Sequence, residues 1–307
     1  MGYLIIAVLL AFVLLFAAYA YRIAFYAPKK NRDRAPSTSS PVFDPYRPWM
    51  KQMYQELSGR PCEFVSIRSR DGLILSGRCY MVSPGAPVDI CFHGYRSHAL
   101  TDFCGGSRIC FSLGHNVLLV DQRAHGKSQG SSITFGIRER QDVLEWISFA
   151  LDKFGKDSKV TLYGVSMGAA TVLMASGLEL PENVRGIVAD CPYNSPEEII
   201  LTVGRKMHYP PALIRPFLHL AAFLYGRFRL DAMDCSRAVK ESKVPILIIH
   251  GEADTLVPET QSRKIAGANP HLIRRVTFPG AEHAISYLVD HSRYEALVRE
   301  FTGEILK

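Results

Sequence analysis

The sequence predicts an α/β fold: a mostly parallel sheet covered by helices on both faces. Three observations predict it. Short apolar runs recur at 88–92, 116–120, 159–163, 185–190, 245–250 and 274–278, brief and largely apolar, as strands buried on both faces are. Segments of helical periodicity follow them, for example 138–154 and 258–268, the alternation of a parallel sheet with crossover helices. Finally, polar motifs sit where the runs end, and in such sheets ligands gather at the carboxyl ends of the strands.

The composition fits one large globular domain or two small ones: 307 residues, 48% hydrophobic and 21% charged. The formal charge of +7 is uneven, with +4 in residues 1–40 from Arg22, Lys29, Lys30, Arg32 and Arg34 against Asp33. The remainder shows no basic stripe with interleaved aromatics, so no nucleic-acid partner is expected. The seven cysteines (Cys62, Cys79, Cys91, Cys104, Cys110, Cys191, Cys235) lack metal-ligand spacing. Their odd number in a long chain argues against a disulfide framework and for reduced, mostly buried small hydrophobes.

Residues 3–21 carry no charge. As a helix they would extend about 28 Å, enough for a hydrocarbon core of ~30 Å. Tyr19, Tyr21, Phe25 and Tyr26 cluster at the far end like an interfacial belt, and basic residues follow. Residues 1–27 are therefore expected to be a single-pass transmembrane anchor. A cleaved signal peptide is the rival, with Ala18-Tyr19-Ala20 as a small-residue site, but no Lys or Arg precedes the apolar run. Positive charge on the C-terminal side favours a catalytic domain in the cytoplasm, with an extracytoplasmic one left open. Residues 28–58 read as a linker and short helix. Pro28, Pro36, Pro41, Pro45, Pro48 and the run Ser37-Thr38-Ser39-Ser40 suit a partly extended tether, and 49–57 suits the helix.

Residues 59–307 form the main domain. Strand-like stretches at 62–69 and 73–82 flank Arg70-Asp71-Gly72, a hairpin signal. The run at 88–92 ends in His93-Gly94-Tyr95. The next ends in Asp121-Gln122-Arg123-Ala124-His125-Gly126-Lys127-Ser128. The run at 159–163 enters Gly164-Val165-Ser166-Met167-Gly168 and then small residues of a helix. A serine on a tight strand-to-helix turn presents its hydroxyl outward, and glycines on either side let strand and helix approach. The helix directs free N–H groups and its positive end at the serine, where an oxyanion would be stabilised. The pentapeptide alone fits a glycine-rich turn with a solvated serine equally well.

Two later strand ends complete the pattern: His250-Gly251-Glu252-Ala253-Asp254 and Gly280-Ala281-Glu282-His283. Serine needs an imidazole to take its proton. The imidazole needs a carboxylate on its other nitrogen to fix the tautomer and stabilise the cation. The chain order is Ser166, Asp254, His283. With these blocks in this order, residues 60–307 resemble the α/β-hydrolase superfamily, and more narrowly bacterial membrane-anchored serine hydrolases of the prolyl-oligopeptidase/BEM46-like type. The resemblance implies Ser166 as nucleophile, His283 as general base and Asp254 as its orienter. It also implies the Tyr95 and Met167 backbone N–H groups as an oxyanion hole, with no metal or cofactor. Ala124 departs from the usual glycine of its block.

Rivals exist for each role. Asp190 also ends a strand and competes as the acid. His125 precedes the serine in a block read as structural, with Asp121 and Arg123 paired to hold the loop. His93 is read as stabilising the loop beside the oxyanion hole. His208, His219, His271 and His291 are read as surface or cap histidines, and Cys91 and Cys191 as packing. The insertion at about 191–243 is read as a helical cap over the cleft, or else as an ordinary crossover helix with a long loop. It has an apolar stretch at 213–224, and Arg227 and Arg229 are candidates to meet a substrate carboxylate or a membrane phosphate. The expected partners are a small-molecule ester, a thioester or a short peptide, and a membrane through the N-terminal helix. The expected function is an ester or thioester hydrolase. A prolyl-oligopeptidase-like peptidase and a non-catalytic binding module at the membrane are the alternatives.

Overall fold

The computed structural model describes residues 1–29 and 41–307. Helix α1 (Gly2–Ala24) contains one charged residue, Arg22. It is long and apolar enough to cross a membrane, a test that a signal sequence also meets. Of the expected tether, residues 30–40 lie outside the described residues. A short 3-10 helix (Pro41–Tyr46) then leads into α2 (Arg47–Gly59), with Pro48 in the first turn, where its missing N–H costs nothing.

The domain runs β1 (Glu63–Arg68), β2 (Ile74–Tyr80), β3 (Val88–Phe92), α3 (Ala99–Asp102), α4 (Gly106–Ser112), β4 (Asn116–Val120) and α5 (Glu139–Phe154). It continues with β5 (Val160–Val165), α6 (Met167–Ala175), β6 (Val184–Asp190), then α7 (Pro196–Lys206), α8 (Pro211–Leu224) and α9 (Cys235–Lys240). Last come β7 (Ile246–Gly251), α10 (Thr260–Ala268), β8 (Ile273–Phe278), α11 (Ser286–Val289) and α12 (His291–Ile305). The strands form one sheet in the order β1-β2-β4-β3-β5-β6-β7-β8. The hairpin β1–β2 and the pair β2–β4 are antiparallel, and every other pair is parallel.

The period of two along each strand divides the core into two layers. Ile90, Leu118, Leu162, Ile187 and Ile248 face a layer that includes Trp146 of α5 and Leu173 of α6. Cys91, Leu119, Tyr163, Val188 and Leu247 face the other, with Met53 of α2, Ile109 of α4 and Phe301 of α12. The strand order reverses at β3: β4 is added on one side of it and β5 on the other. Such a switch point opens a crevice at the carboxyl ends of the strands.

The second half of the expected anchor is packed into the domain. Ala17, Phe25 and Ala27 are buried in the same layer as Ile90 and Leu162. Ala27 N–H donates to the Ser131 carbonyl at 2.9 Å, and Ile133 N–H donates to the Phe25 carbonyl at 2.8 Å. The Tyr21 and Ser132 hydroxyls meet at 2.6 Å. The Phe16 and Phe217 ring centroids lie 4.5 Å apart, joining α1 to α8, and the Tyr225 hydroxyl donates to the Leu14 carbonyl at 3.1 Å. The apolar face of α1 serves the domain core as well as any membrane. The first half of the helix stays exposed, with Leu4, Ile6, Leu9 and Phe12 each more than half accessible.

Candidate active site

Ser166 stands alone between β5 and α6, at φ 53° and ψ −110°. A non-glycine residue at positive φ is strained, and such strain persists only where its surroundings fix it. Here the Ser166 N–H donates to the Asp190 carbonyl at 2.8 Å. The flanking glycines are obligatory. A Cβ on Gly168 would lie 1.8 Å from the Phe92 carbonyl oxygen, and one on Gly164 would lie 2.4 Å from the Gly168 carbonyl carbon.

The structure brings the three widely separated residues together. Ser166 Oγ lies 2.9 Å from His283 Nε2, and His283 Nδ1 lies 2.7 Å from Asp254 Oδ2. Asp254 Oδ1 accepts from the Leu256 and Val257 N–H groups at 2.9 and 2.8 Å. Burial opposes ionisation of Asp254, but hydrogen bonds from His250, His283 and the Val257 amide override it and hold the carboxyl well below its usual range. An ionised carboxylate accepts only. The proton of a neutral His283 therefore sits on Nδ1, and the Nε2 lone pair faces the serine hydroxyl. His250, in the same motif as Asp254, is fully buried. Its Nε2 lies 2.8 Å from the Val257 carbonyl and 3.3 Å from Asp254 Oδ2, on the side of the carboxylate away from Leu256.

The Tyr95 and Met167 amides have no acceptor among the described residues. Met167 N–H is the first of α6, one of the amides a helix leaves unpaired. The loop carrying Tyr95 is held from several sides. Asp102 accepts from Gly94 N–H at 2.6 Å and from the Ser97 hydroxyl at 2.5 Å. Arg96 N–H donates to His125 Nε2 at 3.0 Å. His93 Nε2 accepts from Gln122 N–H at 3.1 Å, and its Nδ1 lies 2.8 Å from the Gly94 carbonyl. Burial depresses the pKa of His93, consistent with this neutral, doubly engaged ring. Asp102 was not singled out from the sequence. It reaches the loop across eight residues, a spacing with no periodic signature.

The loop after β4 is braced differently from the expectation. Asp121 and Arg123 do not pair. Arg123 bridges Asp142 of α5, at 2.6 and 2.7 Å, and Asp71 of the hairpin, at 2.8 Å. Asp121 instead accepts from the Lys127 N–H at 3.1 Å, closing its own turn. Ala124 holds φ 63°.

Asp190 turns away from the relay: its Oδ2 accepts from the Tyr294 hydroxyl at 3.0 Å. Burial pushes its carboxyl up to about 6 despite that bond. Cys191 Sγ lies 3.9 Å from His283 Nε2. Cys191, Asp254 and His283 together offer three metal-ligand types within 4.8 Å, but the carboxylate and the imidazole Nδ1 are already bonded to each other. His219 pairs with Glu197 at 2.6 Å within the cap. Neither Arg227 nor Arg229 lines the cavities beside Ser166; Arg229 pairs with Asp231 at 3.2 Å. The proposed substrate role of these arginines therefore lacks a position to act from.

Two cavities meet at Ser166. One, of about 310 Å³, runs past Gly94, Asp102, Phe103, His283 and Tyr287. The other, of about 360 Å³, lies between α1 and the cap helices α7 and α8. No charged side chain lines the second among the described residues.

A family model described as the alpha/beta hydrolase fold matches residues 90–244, just over half of the chain. The uncharacterized protein YqkD of Bacillus subtilis is 28% identical over 192 residues, 62% of this chain and 62% of its own length. The chain thus spans just under two thirds of that relative. Protein bem46 of Schizosaccharomyces pombe is 25% identical over 252 residues, covering 79% of this chain and 77% of that protein. Among solved structures, the Pyrococcus furiosus esterase Pf2001 superposes with a TM-score of 0.69 at 22% identity, covering 82% of this chain and 94% of that one. That similarity is one of fold. With the sheet order, the serine turn and the matched segment in agreement, the chain belongs to the α/β-hydrolase fold family.

Proposed function

We propose that the protein is a serine hydrolase that cleaves an ester or thioester through an acyl-enzyme intermediate. In this reading Ser166 Oγ attacks the substrate carbonyl carbon while its proton passes to His283 Nε2. Asp254, ionised and bonded to Nδ1, stabilises the imidazolium. The Tyr95 and Met167 N–H groups receive the oxyanion. His283 then protonates the departing alcohol or thiol. Water, deprotonated by the same nitrogen, attacks the acyl-serine carbonyl, and the acid leaves as His283 passes that proton to Ser166 Oγ. The observation that carries the reading is the unbroken line of hydrogen bonds, 2.9 Å and 2.7 Å, from Ser166 through His283 to Asp254. An aligned relay beside two unpaired amides argues for turnover rather than for a non-catalytic binding module.

The uncharged cavity between α1 and the cap favours an acyl group over a peptide terminus. Residues 1–27 act as a retained anchor in this reading, because cleavage after Ala20 would remove Ala17, which is buried in the domain, and Phe16, whose ring packs on Phe217 of α8. Residues 59–307, with the cap at about 191–243, form the catalytic unit. Arg22 and Lys29 after the apolar run, and seven free cysteines, favour the cytoplasmic side for that unit. The test compares hydrolysis of p-nitrophenyl butyrate with that of aminoacyl-p-nitroanilides. Ester turnover that exceeds anilide turnover and disappears in Ser166→Ala is expected. Faster anilide cleavage would give the peptidase reading instead, and ester turnover persisting in Ser166→Ala would remove the serine from the mechanism.

A further inference from the structure

We infer that the substrate's acyl chain enters the site from the bilayer, with helix α1 as one wall of the acyl-binding cavity. The inference rests on the hydrolase reading and deepens it to a membrane-resident acyl ester.

The cavity of about 360 Å³ falls within the ~300–1,000 Å³ of small-molecule sites. Phe16, Tyr19, Ala20 and Ile23 of α1 line it, as do Ile199 and Val203 of α7, Met207 just after that helix, and Ser166. Among the lining residues, Ser166 is the one polar side chain that is not a tyrosine. A cavity of this composition has nothing to hold a polar acyl group and much to hold a hydrocarbon one.

Its place follows from the helix that walls it. Among the described residues α1 is the one helix long and apolar enough to cross a membrane. Its exposed turns, with Leu4, Ile6, Leu9 and Phe12, run in one continuous helix into Phe16, Tyr19 and Ala20, which line the cavity. With α1 in a bilayer, an acyl chain lying along the exposed turns meets the cavity where the helix docks on the cap, at the Leu14 carbonyl that accepts from Tyr225. The cap is suited to that position. Beside the docked helix it exposes Leu213 (58%), Phe223 (64%) and Leu224 (42%), apolar side chains that water would disfavour and lipid would not.

The far end of α1 is tied to the reacting atoms. The Tyr95 hydroxyl donates to the Ala24 carbonyl at 2.8 Å, and Arg96 Nη2 donates to the Ile23 and Tyr26 carbonyls at 2.7 and 3.1 Å. Those of Ile23 and Ala24 are carbonyls that a helix end leaves unpaired. The anchor therefore holds the loop whose Tyr95 amide faces the oxyanion position.

The test uses the full chain in phosphatidylcholine nanodiscs and two probes: 4-methylumbelliferyl palmitate dissolved in the bilayer, and water-soluble 4-methylumbelliferyl acetate. Ala20→Trp fills the cavity from α1, and Ile214→Trp fills it from the cap. For each, the palmitate-to-acetate turnover ratio is expected to fall about tenfold or more. Leu9→Trp, on the exposed half of the helix, should leave the ratio within about twofold. An unchanged ratio in both filling variants overturns the inference. A variant that loses both activities has lost the catalytic centre, and the other then decides. A parent that hydrolyses neither probe refutes the hydrolase reading instead. The cavity is then judged by a catalysis-free measurement: photocrosslinking of Ser166→Ala by phosphatidylcholine with a diazirine at the acyl terminus. Crosslinks at Ile199 or Val203, which face the cavity interior, uphold the acyl site, and crosslinks confined to the exposed half of α1 overturn it.

Discussion

Replacing Asp254 by Asn tests the relay at its most constrained atom. Asp254 Oδ1 accepts two backbone N–H groups, from Leu256 and Val257. An asparagine must keep its carbonyl oxygen there, since an amide NH₂ cannot accept. Its NH₂ then takes the place of Oδ2, 2.7 Å from His283 Nδ1. It donates to Nδ1, so the imidazole proton moves to Nε2 and points at Ser166. In that tautomer His283 has no lone pair for the serine proton. Loss of a tautomer-fixing carboxylate in an otherwise intact triad costs about 10⁴-fold in kcat, and that loss is expected here with p-nitrophenyl butyrate. The same NH₂ confronts His250 Nε2, 3.3 Å from the original oxygen and donating to the Val257 carbonyl. Two donors face each other in a buried site, so a stability loss of about 1–3 kcal/mol accompanies the kinetic one. Denaturant unfolding measures it. Asp254→Asn that retains more than about a tenth of the parental kcat while folded would refute the tautomer argument.

Further outcomes follow from the same coordinates. Asp190, raised by burial to about 6, stays protonated in the folded state while the unfolded chain ionises near ~3.9; its contribution to stability is full below that value and is lost as pH rises through about 6. The stability of Asp190→Asn relative to the parent should therefore increase between pH ~4 and ~6, by on the order of 2 kcal/mol, in unfolding titrations across that range; a difference independent of pH contradicts this. Asp102→Ala frees Gly94 N–H and Ser97 from their common acceptor, and kcat should fall roughly 10- to 100-fold with KM for a short ester little changed, less than the loss of an oxyanion donor itself. A rise in KM alone would make Asp102 a binding group rather than a positioning residue. Gly168→Ala places a methyl 1.8 Å from the Phe92 carbonyl oxygen, and a destabilisation above ~4 kcal/mol is expected; a parental unfolding midpoint would contradict the close strand–helix approach.

The parts of the molecule legible in the sequence are those with local signatures. Buried strands such as Asn116–Val120 carry a mostly apolar run, and their ends fall within a residue or two of expectation. Ser166, Asp254 and His283 each sit at a strand end inside a glycine-bearing motif, so sheet topology alone brings them to one edge. What stayed hidden depends on contacts between distant segments. Tyr21 meets Ser132 across 111 residues, and nothing in the apolar helix pattern distinguishes a lipid-facing residue from one packed on a cap. Asp102 and His250 act through the geometry of their loops. The supposed Asp121–Arg123 pair failed for a related reason: opposite charges two residues apart suggested a partner, whereas the guanidinium reaches Asp71 and Asp142 on other elements.

The central claim is that Ser166 is the activated nucleophile, and the most direct measurement is fluorophosphonate labelling with the adduct mapped by peptide mass spectrometry. The account predicts one adduct, on Ser166, absent from Ser166→Ala and strongly slowed in His283→Ala. An adduct on any other residue, Cys191 included, or labelling that survives in Ser166→Ala, would contradict it.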